Sequence, residues 1–146
     1  MTLAATDSAL VWTGFDGQKH APDTSAWPLS RDNPVLRQTA EQLQQYFAAE
    51  RTMFALPLDL RSGTAFQQAV WHSLQAITAG STQTYGAVGE AIGRPKAVRA
   101  VGAAIGRNPI SIIVPCHRVV GSTGALTGYA GGVERKHALL HLEGVL

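Results

Sequence analysis

Cysteine is nearly absent from this chain: Cys116 is the only one among 146 residues. That excludes an internal disulfide, and no Cys/His cluster has the spacing of a structural zinc site. No apolar run approaches the ~18–20 residues that a membrane span needs. The opening stretch, MTLAATDSALVWTG, has neither the basic flank nor the apolar core of a secretory signal. These absences point to a soluble, cytoplasmic domain held together by packing alone. Acids are also missing from one long stretch. Between Ala91 and Arg118 there are five cations (Arg94, Lys96, Arg99, Arg107 and Arg118) and no carboxylate.

What is present supports one compact unit, or two small halves sharing a core. Hydrophobic residues make up 45% of the chain, enough to exclude wholesale disorder. Residues 1–64 carry 5 Lys/Arg against 7 Asp/Glu, net −2, whereas residues 65–146 carry 7 against 3, net +4. A basic stripe confined to one half suits a polyanionic partner, although a solvated surface without acids has the same composition.

Local signals divide the chain into elements. Ala9–Phe15 is rich in β-formers and runs into Asp16-Gly17, a hairpin-type turn. His20 to Asp32 is loop-like. Asn33-Pro34 opens a helix whose apolar stripe (Leu36, Ala40, Leu43, Phe47) reaches to about Glu50, and Phe54–Leu60 is a second extended segment. Thr64 and Gln67 form a capping box, with Phe66, Val70, Leu74 and Ile77 on one face of the helix that follows, up to Gly80. Thr84 caps a short helix, Tyr85–Ile92. Pro95 starts another that Asn108-Pro109 stops, so Gly-Arg-Pro joins the two as in a helix-turn-helix unit. Ile112–Val114 is a short buried run, and a last helix spans Val133–Leu142.

At 100° per residue, Val98, Val101 and Ile105 share the inward face of the 95–107 helix. The opposite face carries Lys96, Ala100, Ala103 and Arg107, with Arg99 on its shoulder. Small residues let a backbone approach another surface closely, and flanking cations suit phosphates. Alanine is equally the best helix former, so both readings stand. Cys116 lies between Pro115 and His117-Arg118. A lone cysteine is commonly an inert buried residue, but adjacent cations stabilise the thiolate, which is the reactive species.

Val114-Pro115-Cys116-His117-Arg118-Val119-Val120 resembles the active-site motif of the O6-alkylguanine-DNA alkyltransferases. Thr64–Trp71, Thr84-Tyr85-Gly86, Val98–Gly102, Arg107-Asn108-Pro109, Gly128–Gly132 and Leu142-Glu143-Gly144 follow the family in order, over about residues 64–146. The first 60 residues match loosely, and a short bacterial-type member is the nearest pattern. The resemblance implies an α+β protein: a small strand-rich domain (1–62), then a helical domain (63–146) whose helix-turn-helix binds the DNA minor groove. It implies transfer of an alkyl group from O6-alkylguanine, chiefly O6-methylguanine and also O4-methylthymine, to Cys116. The nucleotide is rotated out of double-stranded DNA, and each molecule acts once.

By the same resemblance, His117 acts through a water as base, oriented by Glu143. Tyr85 protonates the leaving guanine, and Asn108 holds the turn before the active-site loop. Arg99 fills the vacated stack, Ala100 and Ala103 line the groove, and Arg94, Lys96 and Arg107 take phosphates. Val119, Tyr129, Ala130 and Arg118 are placed at the substrate pocket, with the carbonyls of Cys116 and Val119 on guanine's exocyclic amine. No cofactor, no metal and no protein partner are implied, so a monomer is expected. The glycine-rich Gly128–Gly132 lacks the lysine of a P-loop.

Three other classes fit fewer of these features. Non-catalytic lesion binders of the alkyltransferase-like kind replace the cysteine, which is present here. A thiol-sensing helix-turn-helix regulator would want a second domain. A Cys-His-Glu hydrolase leaves the basic helix unexplained. His137 and His141, one turn apart, read as surface or packing residues rather than metal ligands, and Trp12, Trp27 and Trp71 as core.

Overall fold

The computed structural model describes residues 1–146. Strands β1 (Thr2–Ala5) and β2 (Leu10–Gly14) form an antiparallel hairpin with Leu3 opposite Thr13 and a register shift after Ala4. The Thr6 hydroxyl closes its turn by accepting from the Ala9 N–H at 3.1 Å. The hairpin therefore lies before β2. Asp16-Gly17 does make a turn, but it ends the strand and leads into the loop at His20. Helix α1 (Pro34–Phe47) starts as its sequence dictates, with Asn33 Oδ1 accepting from the Leu36 N–H at 3.1 Å. Its buried row is Val35, Thr39, Leu43 and Tyr46, while Phe47 is 47% exposed. The expected stripe was thus rotated, because a threonine and a tyrosine take inward positions that their polarity disguises.

The Thr64–Gln67 capping box opens α2 (Ala65–Leu74), which ends short of Gly80 and leaves Ile77 buried in the following turn. The Trp71 indole N–H donates to the Ala104 carbonyl at 2.8 Å, tying α2 to α4 (Val98–Gly106). Between them, strand β3 (Gln83–Thr84) runs into α3 (Tyr85–Ala91), capped by Thr84. The connection to α4 turns at Gly93, whose φ of 74° favours glycine. Arg94, Pro95 and Lys96 make a turn closed by Ala97 N–H to Arg94 O at 3.0 Å, so α4 starts at Val98 rather than at Pro95.

On α4 the buried face is Val101, Ala104 and Ile105. Val98 was expected inside but is 43% exposed. It occupies the first helical position, where side chains lean toward the helix N-terminus and overhang its packed face. A single 3-10 turn (Cys116–Arg118) follows, then β4 (Val119–Val120), paired in parallel with β3, and α5 (Val133–Leu142).

One apolar cluster joins the strand-bearing and helical parts, from Leu10, Val35 and Leu43 to Val70, Leu74, Val101 and Val119. Each such aliphatic side chain contributes about 1.5–3 kcal/mol on full burial. Trp12 and Trp71 belong inside, at 8% and 2% exposed, whereas Trp27 is 44% exposed in the loop before α1. No helix is long and apolar enough to cross a membrane. His137 and His141 are both exposed on α5.

Strand β2 reaches directly toward the Cys116 loop. Thr13, fully buried, donates its N–H to Pro109 O at 3.0 Å and its hydroxyl to Ser111 O at 2.7 Å, and its own carbonyl accepts from Ser111 N–H.

Candidate active site

The segment from Arg107 to Val120 folds back on itself around Asn108. The buried Asn108 side chain accepts from Ile110 N–H at 3.0 Å and donates to Val114 O at 2.8 Å, closing both ends of the loop before Cys116. Within it, Ile112 is 1% exposed and holds φ at 74°. A β-branched residue there costs about 1–3 kcal/mol, so the surrounding bonds must over-determine the loop. The 3-10 turn then sends successive side chains to different places: Cys116 to one side, His117 and Arg118 toward the end of α5.

Those two meet Glu143, the residue that ends α5. His117 Nε2 lies 2.7 Å from Glu143 Oε2, Arg118 Nε donates to Oε1 at 2.9 Å, and Arg118 Nη2 donates to Oε2 at 2.9 Å. Tyr46 of α1 donates its hydroxyl to Oε2 at 2.6 Å, and Arg118 Nη1 donates to the Ile77 carbonyl. Burial would raise the Glu143 pKa, but hydrogen bonds from His117, Arg118 and Tyr46 outweigh it and hold the carboxyl at about 2. Burial pushes Tyr46 well above its ordinary value, helped by its bond to Glu143, so it stays a donor.

Burial likewise lowers His117 against the pull of Glu143. The imidazole is therefore neutral, with its proton on Nε2 facing the carboxylate. Its Nδ1 is buried, has no hydrogen-bond partner and is left as a base.

The Cys116 thiol is 4% exposed, and burial raises its pKa; Asn108, Lys136 and Tyr129 oppose that rise. Lys136, on α5, is 1% exposed and donates to Val119 O at 2.6 Å and Thr127 O at 2.9 Å. Burial lowers its pKa, with Cys116 pulling the other way. Tyr129 has a buried hydroxyl without a partner. Its ring also lines a cavity of about 270 Å³, together with Tyr85, Gly102, Ile105, Thr127 and Ala130. Gly131 is required beside it, since a Cβ there would stand 2.8 Å from Phe15 and 2.9 Å from Tyr129. A buried thiol, a neutral histidine oriented by a carboxylate and a base-sized cavity behind the same tyrosine suit nucleophilic attack on a small group carried by a flat ring.

Comparison with known proteins agrees with that chemistry. The family model for the 6-O-methylguanine DNA methyltransferase DNA binding domain matches residues 65–145, and that for the ribonuclease-like domain of the same enzymes matches 1–60. A Mycolicibacterium paratuberculosis methylated-DNA–protein-cysteine methyltransferase is 49% identical over 144 residues, spanning 98% of this chain and 85% of its own. The chain belongs to the 6-O-methylguanine DNA methyltransferase family. The constitutive Bacillus subtilis enzyme of the same name is 51% identical over 114 residues, 77% of this chain and 68% of its own. Among solved structures, Mycobacterium tuberculosis OGT in complex with DNA superposes with a TM-score of 0.88 at 48% identity, covering 97% of this chain and 84% of that one. The enzyme class is that of these relatives, methylated-DNA–protein-cysteine methyltransferase.

Of the expected site residues, Asn108, Cys116, His117 and Glu143 come together at the loop that carries the thiol, while Tyr85, Tyr129 and Ala130 line the cavity. Arg118 is a correction. It was expected at the substrate pocket, but its guanidinium is 7% exposed and bound to Glu143, so it positions that carboxylate instead. Val119 is fully buried, and its carbonyl already accepts from Lys136. Arg99, Ala100, Ala103 and Arg107 are exposed along one side of α4, whereas Arg94 and Lys96 are exposed in the turn before it.

Sequence reasoning missed Lys136 and Tyr46. For Lys136 a signal existed: Lys136, Leu139, Leu140 and Glu143 form an i, i+3, i+4, i+7 row, an apolar stripe with an ion at each end. Tyr46 lies 97 positions from its partner and left no local trace.

Proposed function

We propose that the chain repairs O6-alkylguanine in duplex DNA, chiefly O6-methylguanine and also O4-methylthymine, by moving the alkyl group onto its own Cys116. The helix pair α3–α4 acts as a helix-turn-helix in the minor groove. Ala100 and Ala103 face the groove floor, and Arg94, Lys96 and Arg107 take phosphates. Arg99 enters the stack that the rotated nucleotide leaves, offsetting an unstacking cost of a few kcal/mol. Residues 1–62 form the supporting domain and residues 63–146 the DNA-binding and reacting one. The protein acts as a monomer in the cytoplasm and needs no cofactor.

In the reaction His117 Nδ1 takes the Cys116 proton through a bridging water, and Glu143 stabilises the imidazolium that forms. The thiolate sulfur attacks the alkyl carbon in line. A carbon–sulfur bond forms, the carbon–O6 bond breaks, and its electron pair passes to guanine, which Tyr85 protonates on the ring. Tyr129 and Ala130 border the base. The product thioether is neutral, so a site that disfavours a charged sulfur favours it, and no base can remove the group. Each molecule therefore reacts once.

The observation that carries this reading is the pairing of His117 Nε2 with Glu143 at 2.7 Å, which leaves Nδ1 buried and unpaired one residue from the thiol. The test is intact mass after incubation with a duplex containing one O6-methylguanine, followed by peptide mapping. A stoichiometric gain of one methylene on the Cys116 peptide, lost in Cys116→Ser, is the expected result. Tight binding to the lesion without a mass change would make the protein a lesion sensor, and repeated turnover on ester substrates would make it a hydrolase.

A further inference from the structure

The cavity that holds Tyr85 and Tyr129 has one wall from the opposite end of the chain. The segment Phe15–His20, which follows β2, is clamped onto its rim. The Phe15 ring stands edge-on to Tyr129 with centroids 6.3 Å apart, and the Arg135 guanidinium lies 4.8 Å over the Phe15 ring. Lys19 N–H donates to Ala130 O at 3.0 Å, and Gln18 Oε1 accepts from Phe15 N–H at 2.8 Å. His20 then takes a left-handed φ of 62°, a conformation that a non-glycine residue holds only when its surroundings impose it.

The side chains delivered by this clamp are Lys19 and His20, both exposed and both lining the cavity, and no carboxylate lines it. His20 also borders the neighbouring cavity of about 790 Å³, whose rim carries Arg107 from the end of α4. The one acid there, Asp59, is paired with Arg61 at 2.8 Å.

We infer that Lys19 and His20 form a phosphate-binding rim that holds the DNA backbone of the nucleotide entering the cavity. The inference rests on the repair reading above and adds to it a contact from the N-terminal half. A base that enters this cavity must trail its sugar and phosphates across the mouth, where these two side chains stand. Phosphate contacts of this kind set register and orientation rather than sequence. Because the loop is already tied down by four contacts, little further ordering opposes the interaction.

The test compares Lys19→Gln, Lys19→Glu and Lys19→Arg with the wild type. Binding to an O6-methylguanine duplex is measured from about 50 to about 200 mM salt, and transfer is timed on that duplex and on free O6-benzylguanine. Lys19→Gln should flatten the slope of log affinity against log salt by about 0.9 and slow duplex transfer about fivefold. The loss on the free base should be several-fold smaller. Lys19→Glu should deepen the duplex loss, and Lys19→Arg should restore it. A wild-type slope and duplex rate in Lys19→Gln, or equal losses on duplex and free base, would overturn the rim. A wild type that transfers to neither substrate would instead overturn the repair reading beneath it.

Discussion

Charges meet two opposite fates in this molecule. On α4 and the turn before it, Arg94, Lys96, Arg99 and Arg107 stand in solvent and are tied to no carboxylate. At the end of α5, Glu143, His117, Arg118 and Tyr46 are packed out of water, and the glutamate is bonded by all three partners. The first set is loosely held and available to an outside anion, with each member worth little to the fold. The second is committed inward: it works only as a complete set, because removing one partner strands a buried charge. The fold therefore tolerates substitution in the first set and not in the second.

The largest break expected is at the buried end. Glu143→Gln should lower unfolding free energy by about 3–5 kcal/mol, since Arg118 loses its counter-ion inside the protein. The same change should slow alkyl transfer while duplex affinity stays near wild type; unchanged transfer would remove Glu143 from the relay. Lys136→Met should cost on the order of 3 kcal/mol, because the Val119 and Thr127 carbonyls lose a charged donor. Denaturant titration measures both.

Acid should pick out the same region. The folded pKa of His117 is depressed by burial, so the unfolded chain binds that proton first and stability falls as pH drops below about 6.5. Glu143 is held at about 2 against an ordinary 4.5, so its contribution is present above 4.5 and is lost between there and about 2. Stability against pH should thus decline in two stages. The second should flatten in Glu143→Gln; an unaltered acid limb would contradict the assignment.

The exposed face should answer differently. Arg99→Ala should slow repair in duplex DNA by about thirtyfold, some 2 kcal/mol of unstacking no longer offset, with much less effect on free O6-benzylguanine. Equal loss on both substrates would sink the stacking role. Arg107→Gln is the smallest change: stability within about 0.5 kcal/mol of wild type, and a salt slope flatter by about 0.9. A stability loss as large as that of Glu143→Gln would erase the contrast between the two regions.

Much of the frame was legible residue by residue. Asn33, Thr64 and Thr84 open their helices as their side-chain chemistry requires, and Val70, Leu74 and Ile77 are buried as their spacing demands. The errors occur where a neighbour outside the local window decides. Strand β1 has no strong turn signal and exists through pairing with β2. Val98 is left uncovered by its place at a helix end. The resemblance puts Arg118 at the pocket, yet the 3-10 turn directs its side chain to Glu143.

By itself, then, the sequence determined the capped starts of α1, α2 and α3, the acid-free basic stretch, the single thiol and the motif around it. All of these are set by residues a few positions apart, whose backbone and capping preferences act locally. Only the tertiary structure decided that Tyr46 and Arg118 join His117 on Glu143, and that Lys136 points inward onto the Val119 and Thr127 carbonyls. It also decided that a loop from the first twenty residues walls the cavity. Those contacts join positions from 9 to well over 100 residues apart in the chain, and they exist because burying one shared core brings their elements together.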